Sequence, residues 1–371
     1  MIVTKTIDEL CHVGRGRVIS NQYIKENPGS YPVYSSQTAN NGNMGNISTF
    51  DFDGEYVTWT TDGANAGTIF YRNGKFNCTN ICGTLKAKNA NEIDMQYLAL
   101  ALSRHAKEHV IIASGNPKLM NNTVKRISIS FPESITTQKT IVADVIRRMA
   151  AIDAMAEKTT QQITDAECYI ERVNKETITF SGISKPLSEF CAEDKQIIQP
   201  TSEKAKTLMY LGMENIDKDT WAYVPSTDIA EAGNSTTYYF GRQHLLYGKL
   251  RPYLKKVFLP DDEGRCSTEL IPLLPNDTIE REYLALLLTD NDVVSYIMQQ
   301  STGSRMPRTD MKKLLKYRVQ VPDIDEQRRR LATRQEKTSR AKSLLNSLHK
   351  QQENLSALRA CIFREAFGNE E

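Results

Sequence analysis

The stretch EYLALLLTDNDVVSYIMQQSTGSRMPRTDMKKLLKYRVQVP, residues 282–322, decides the fold, because an earlier segment of the chain follows the same pattern. Residues 96–132 read QYLALALSRHAKEHVIIASGNPKLMNNTVKRISISFP. Each copy has a YLAL helix, a turn of small residues and glycine carrying basic side chains, and a short β-rich run ending in proline. Upstream, FNCTNICGTL (76–85) lies opposite GRCSTELIPL (264–273), and EYVTWTTDG (55–63) lies opposite QHLLYGKLR (243–251). The separation stays near 188 residues, slipping by a few at loops. One such match is within chance; four in the same order mark an internal duplication.

The segment after each copy is repeated as well. After Pro132, the positions Val142, Val145, Met149, Ile152, Ala156, Thr159, Ile163, Ala166, Ile170 and Val173 alternate spacings of three and four, with no proline or glycine among them. That is a heptad seam on a long helix that needs a helical partner. After Pro322, a second seam runs through Leu331, Thr338, Ala341, Leu345, Leu348, Leu355 and Ile362, interrupted by polar Gln335, Gln352 and Arg359. Asp323 and Glu326 have the spacing of a capping box at its start. The predicted order is a head over 1–132, a helix over 133–176, a head over 177–322 and a helix over 323–368. The fold class expected is α+β: two mixed α/β heads separated by two long antiparallel coiled-coil helices, with a pseudo-twofold internal repeat. Forty helical residues span ~60 Å, enough for a spacer.

Bulk properties allow this reading without selecting it. The 371 residues are 40% hydrophobic and 25% charged, as in a soluble globular protein of two or more domains. No apolar run is long enough for a membrane span, and MIVTKTIDEL lacks a signal core. Seven cysteines in no regular framework suggest reduced thiols and a cytoplasmic setting. The net charge of +2 is spread as +3, −2, −1 and +2 over residues 1–132, 133–180, 181–322 and 323–371, so charge alone argues for no partner.

Catalytic motifs are missing from the sequence. GTIFYRNGK (67–75) has the wrong spacing for a phosphate-cradling loop, and no glycine-rich turn suits a dinucleotide or S-adenosylmethionine. The Asn-Pro pairs in ENPGSY and GNPKLM read as turns. His105 and His109 stand four apart on a helix with no third ligand, and Cys78 and Cys82 read as buried thiols, so no metal site is expected. A binding protein without its own catalysis is the expectation.

The heads offer polar and basic groups suited to DNA. GRGRVISNQYIKENPGSYPVYSSQTANNGNMG (14–45) carries Arg15 and Arg17 among glycines, then Ser35, Ser36, Gln37 and Asn40 in a loop dense in amides and hydroxyls. Asn and Gln pair with adenine, Arg with guanine, and Ser or Thr with base edges or phosphate. Thr60 and Thr61 follow Trp59 at a strand end. Lys118 in SGNPKLMN, and Ser304, Arg305 and Arg308 in TGSRMPRTD, place basic groups on the same duplicated turn, a pattern suited to phosphate. LLYGKLRPYL (245–254) reads as a strand running into a bend, with Lys249 and Arg251 on one face by strand parity.

LLYGKLRPYLKKV, CSTELIPL, YLALLL, TGSRMPR and the proline-led DEQRRR helix together resemble the DNA-specificity subunit of type I restriction–modification enzymes. GSYPVYSSQ, YVTWTTDG, GTIFYRNGKFNCTNICGTL and SGNPKLMN resemble another target-recognition domain of that family, so the likeness covers nearly the whole chain. The resemblance implies a non-catalytic subunit that reads a split, asymmetric double-stranded DNA site, one half per recognition domain. It implies two adenine-N6 methyltransferase subunits and ATP-dependent restriction subunits as partners. S-adenosylmethionine, ATP and Mg are then used by those partners, and this chain binds no cofactor. The family's basic strand-end motif falls on Lys249, Arg251 and Pro252. Its glycine turn commonly continues with Thr and Gln, where this chain has Arg305 and Met306, which favours phosphate over base contact. The first head has TTDG in place of KLRP, so its contacts are expected to be placed differently. The competing reading is a protein–protein adaptor that uses the helices as a bundle.

The seam residues Val142, Val145, Met149, Ile152, Ile163, Ile170, Leu331, Leu345, Leu348 and Leu355 make the helices the partner-binding and spacing element. Deleting one heptad within 142–173 is expected to change the separation of the two half-sites and leave their base sequences alone. Mapping the methylated motif checks this, and altered bases at unaltered spacing would refute it.

Overall fold

Two helices of 44 residues each, Ile135–Ile178 and Ile324–Phe367, follow the two copies of the repeat. In the computed structural model, which describes residues 1–113, 115–218, 221–225, 235–301 and 306–367, the chain divides into two compact units. One comprises residues 1–160 with the chain from 350 onward, the other residues 161–349. Each head thus folds together with parts of both helices, where the sequence suggested four consecutive segments.

The helices run antiparallel within each unit. In the first, Arg148 pairs with Glu365 at 2.8 Å, Arg359 pairs with Asp153, and Gln352 donates to Thr160 at 3.2 Å. In the second, Arg334 donates to Asn174 at 2.6 Å, and Arg330 donates to the Thr179 carbonyl at 2.8 Å. As the residue number rises along one helix, it falls along the other. Exposed ion pairs of this kind contribute only about 0–1 kcal/mol each. The seam contributes more: Val142, Val145, Ile152, Ile163, Ala166, Val173, Leu348, Leu355 and Ile362 are buried, and Met149, Ala156, Ile170, Leu331, Ala341 and Leu345 half-buried. Fully burying one large aliphatic side chain stabilises by about 1.5–3 kcal/mol. Thr159 and Thr338 are buried in the seam at no polar cost, because each hydroxyl donates to a carbonyl of its own helix, Met155 and Arg334.

The heads share a topology. In the first unit the strands Cys11–Arg15, Cys82–Ala87, Glu55–Thr60 and Ile69–Asn73 form an antiparallel sheet in that order. In the second, Cys191–Glu193, Leu270–Pro275, Leu245–Gly248 and Val257–Phe258 repeat it. A smaller sheet accompanies each: Asn43–Ile47, Pro28–Tyr34 and Asn77–Cys78 in one, and Ile197–Ile198, Thr237–Phe240, Gly264–Ser267 and Tyr210–Leu211 in the other. Two-stranded ribbons, Ile2–Thr6 with Ser128–Pro132 and Ser184–Pro186 with Arg318–Gln320, lead into the long helices. The Asn-Pro pairs sit at strand starts, Pro28–Tyr34 and Asn116–Lys118, and not in the turns that the dipeptide suggests. Proline is tolerated at a strand's first positions, where its missing N–H costs no ladder bond.

The YLAL helices are Met95–His105 and Arg281–Thr289. Tyr97, Leu98, Ala101 and Leu102 of the first pack with Val57, Trp59 and Leu85 of the sheet and with Val142, Val145, Leu355 and Ile362 of the long helices. Tyr283, Leu284 and Leu287 of the second pack with Leu245, Tyr247 and Leu273.

A glutamine near the start of each long helix locks the YLAL helix in place. Gln138 is fully buried; its Oε1 accepts the Asp94 N–H at 2.8 Å, and its Nε2 donates to the carbonyls of Glu92 and Pro132. Gln327, also fully buried, accepts the Glu280 N–H at 2.9 Å and donates to the carbonyls of Thr278 and Pro322. Sequence reading passed over both, although each lies within a turn or two of the proline that ends its repeat. The capping box expected at Asp323 and Glu326 is only half formed. Asp323 accepts the Glu326 N–H at 2.9 Å, while the Glu326 carboxylate pairs with Arg329 and Arg330.

Gln138→Leu and Gln327→Leu each strand one N–H and two carbonyls in a buried setting, at roughly 1–3 kcal/mol for an unsatisfied group. Each substitution is expected to destabilise its unit by about 2–4 kcal/mol in urea unfolding. A loss below about 1 kcal/mol would mean that the clamp is dispensable.

Candidate nucleic-acid interface

Two stretches that are far apart in sequence meet in each head. In the first, residues 61–63 pair with 117–119: the Leu119 N–H donates to the Thr61 carbonyl at 2.9 Å, and the Gly63 N–H to the Pro117 carbonyl at 3.0 Å. In the second, residues 249–251 pair with 307–309: the Thr309 N–H donates to the Lys249 carbonyl at 2.8 Å, and the Arg251 N–H to the Pro307 carbonyl at 2.8 Å. The bridges Asp62↔Lys118 and Leu250↔Arg308 complete the correspondence. An aromatic side chain from the neighbouring strand braces each pairing: Trp59 Nε1 donates to the Leu119 carbonyl at 2.9 Å, and Tyr247 Oη lies 3.0 Å from Thr309 Oγ1. Burial pushes the Tyr247 hydroxyl up to about 12.

TTDG and KLRP therefore occupy the same backbone position, and the heads differ there in side chains. Gly63 has φ +91° and Arg251 φ +52°, both left-handed. Glycine adopts this conformation freely, whereas an L side chain pays about 1–2 kcal/mol for it. The strand stops at Gly248, so the parity that placed Lys249 and Arg251 on one face does not extend to Arg251. Pro252 begins a short 3₁₀ turn, Pro252–Leu254.

The charges differ as well. Lys118 lies 3.9 Å from Asp62, a loose neutral pair. Arg308 is held by Glu269 at 3.4 Å, while Arg251 has a buried Nε with no hydrogen-bond partner among the described residues, and Lys249 is half-buried beside it. The second platform thus carries three basic residues against one carboxylate. Ser304 and Arg305 lie outside the described residues.

The remaining candidates of the first head fall into three settings. Arg15 ends the strand Cys11–Arg15 and is exposed, with its Nη2 3.7 Å from Met120 Sδ. It therefore reaches the segment after Lys118 at Met120. Arg17 is exposed but engaged: it donates to Asp51 at 2.8 Å, and its guanidinium lies 5.2 Å from the Tyr23 ring. Ser35, Ser36 and Gln37 are half-buried and Asn40 exposed, in a loop closed by the Ser35 N–H donating to the Gly42 carbonyl at 3.1 Å. The Gln37 amide donates to the Asn43 carbonyl, and Asn40 reaches the same oxygen at 3.5 Å.

Thr60 and Thr61 are enclosed and not presented at the surface. Both are fully buried. Thr60 Oγ1 donates to the Asn65 carbonyl and accepts the Thr68 N–H, and Thr61 Oγ1 donates to Asp62 at 2.6 Å. Their hydroxyls shape the turn over which Lys118 pairs. Sequence reading also missed Arg72, a cation only 4% exposed on the strand Ile69–Asn73. Nothing in FYRNG distinguishes it from a solvated arginine.

Comparison with known proteins supplies the class. Residues 2–165 match the model of the type I restriction modification DNA specificity domain. A putative type I specificity subunit N-terminus of Mycoplasma pneumoniae is 52% identical over 138 residues, covering 37% of this chain and 73% of that protein. Another putative type I specificity subunit of the same organism is 46% identical over 143 residues, and the specificity subunit of its type I restriction enzyme MpnII is 43% identical over 143 residues. This chain spans only 46% and 42% of those two relatives. A solved structure described as the structural basis of complex assembly and conformational transition of the type I restriction–modification system covers 100% of this chain and 98% of its own at 15% identity, with a TM-score of 0.72. The HsdS subunit of Thermoanaerobacter tengcongensis gives a TM-score of 0.55, also at 15% identity. The fold is shared with these type I restriction–modification structures. The chain belongs to the type I restriction–modification specificity-subunit family.

Because Gly63 holds the same turn, Arg251→Gly is expected to keep the second platform's backbone, with unfolding stability within about 1 kcal/mol of the parent. The salt slope of DNA binding is expected to fall by about 0.9, as for one lost phosphate contact. An unaltered slope in a folded variant would remove Arg251 from the interface.

Proposed function

We propose that this chain is the DNA-specificity subunit of a type I restriction–modification complex and reads a split, asymmetric site, one half through each head. The observation that carries the reading is the repeated platform, in which two distant stretches are hydrogen-bonded together on the same backbone in both heads, with a basic side chain at the matching positions Lys118 and Arg308. A duplicated backbone suits two half-sites, and different side chains on it suit half-sites of different sequence. Lys118, Lys249, Arg251 and Arg308 contribute phosphate contacts, which dominate affinity, while Ser35, Ser36, Gln37 and Asn40 contribute base contacts. A good bidentate base contact discriminates by about 1–3 kcal/mol.

On this proposal the chain has no catalysis of its own. Two adenine-N6 methyltransferase subunits and ATP-dependent restriction subunits act on the site that it selects, using S-adenosylmethionine, ATP and Mg. The methyltransferase must flip adenine out of the stack, since its amino group is inaccessible in a duplex. A specificity subunit serves this by fixing where on the DNA the partner sits. The setting is cytoplasmic, where DNA and reduced thiols coexist; among the described residues no helix is long and apolar enough to cross a membrane. The bundle-adaptor alternative is not favoured, because the family match falls on the first head and runs into the long helix that follows it.

Adenine methylation mapped genome-wide in cells with and without this gene, its neighbours retained, tests the proposal. The expected outcome is loss of methylation at one split, asymmetric motif. Retention of every methylated motif in cells shown to express an active system would refute it.

A further inference from the structure

We infer that Arg72 is the positioning residue for the polar loop of the first head, holding residues 35–43 in the one shape in which they accept their bases. The inference rests on the DNA-reading function proposed above. Arg72 stands on the strand Ile69–Asn73, whose sheet does not contain the loop's flanking strands Pro28–Tyr34 and Asn43–Ile47. It crosses from one sheet to the other. Its Nη2 donates to the Asn41 carbonyl at 2.8 Å, and its Nε donates to Thr58 Oγ1 at 3.3 Å. The guanidinium lies 3.6 Å from the centre of the Tyr34 ring and 4.4 Å from that of Phe70.

Nothing about the core requires a cation there. Arg72 is 4% exposed, and among the described residues no carboxylate pairs with it. Desolvation pulls its pKa below the usual arginine value. A buried charge is costly unless its hydrogen bonds and surroundings answer it, and here the loop and the two rings do so.

The loop that Arg72 holds is itself unusual. Asn40, Asn41 and Gly42 have φ of +49°, +52° and +79° in succession. L residues rarely adopt this conformation, and asparagine tolerates it best after glycine. The loop's ends are joined by the Ser35 N–H on the Gly42 carbonyl and by the Tyr34–Asn43 strand pair, and Arg72 binds the Asn41 carbonyl between them. A Cβ at Gly42 would lie 3.1 Å from Arg72 Nη2, so the guanidinium also sets the closeness of the turn. Ser35, Ser36, Gln37 and Asn40 take their directions from that turn. Lysine cannot replace the arginine, since it has neither the planar face for the two rings nor the fork for both bonds.

The test selects the full-length chain, Arg72→Lys and Phe70→Leu against randomised DNA duplexes. Hydrogen exchange over residues 35–43 and thermal unfolding are measured in parallel. Phe70→Leu keeps the guanidinium and removes one of its two faces. In Arg72→Lys the first half-site is expected to lose or change its base preference while the second keeps its own. Exchange in the loop is expected to rise by about tenfold or more. Phe70→Leu is expected to move both readouts the same way, by less. A merely structural residue would lower the thermal transition and the affinity for the first half-site without changing which bases are selected there, and that outcome would overturn the inference. A wild-type chain that selects a split site, with Arg72→Lys selecting the same bases in both halves, overturns the inference alone. A wild-type chain that selects no sequence overturns the function and the inference together. Where Arg72→Lys does not fold, Phe70→Leu decides: unchanged first-half preference and unchanged exchange overturn the inference.

Discussion

A 44-residue helix with a single apolar stripe cannot bury that stripe by itself, and this chain has two of them. Their antiparallel pairing is the constraint on which the remaining architecture depends. The seam is closed by aliphatic side chains, and its polar members are answered locally: Thr159 and Thr338 by their own helices, Gln352 and Arg359 by Thr160 and Asp153 across the pair. Because the pairing is antiparallel, the beginning of one helix meets the end of the other beside the first head. Val142, Val145, Leu355, Ile362 and Phe367 accordingly join that head's core, where Phe367 and Tyr97 pack edge to face at 5.3 Å between ring centres. A head and its helices are one folding unit.

On this frame, the two heads share a main sheet and a platform backbone and differ in the side chains that the platform carries. The strand order, the leading ribbon, the glutamine clamp and the cross-paired platform occur in both heads. On the platform itself the side chains differ. Gly63 stands opposite Arg251, and the Lys118–Asp62 pair opposite Arg308–Glu269. Even the brace under the platform changes chemistry, from the Trp59 indole to the Tyr247 hydroxyl, while keeping its hydrogen bond to the same strand. A protein that reads two different sequences with two copies of one fold needs this division: shared geometry for docking on a regular backbone, and variable groups for its bases.

Much of this architecture was legible in the sequence for a physical reason. A heptad seam is a pattern of burial, and burial of aliphatic groups is non-directional, so spacing suffices to find it. Met149, Ala156 and Ile170 lie half-buried along the seam where their spacing put them. A duplication is equally visible, because two copies under the same packing constraints keep the same order of helix, turn and strand. The pairing of the heads' motifs across long stretches was not visible, and neither was the left-handed bend at Arg251, which cut short a parity argument valid only for extended chain.

The candidate contacts divide along the same line. Sequence alone established which residue types are available to a polymer of phosphates and base edges, and in which loops. Only the tertiary structure decided which of them are free to act. Thr60 and Thr61 are enclosed beneath the platform, Arg17 is engaged by Asp51, and Arg72, unmarked in its strand, is buried against the loop that carries Ser35 to Asn40. The reason lies in the directionality of polar interactions. A hydroxyl or guanidinium is committed by whichever donor or acceptor the folded chain brings within about 3 Å, and that neighbour comes from distant sequence.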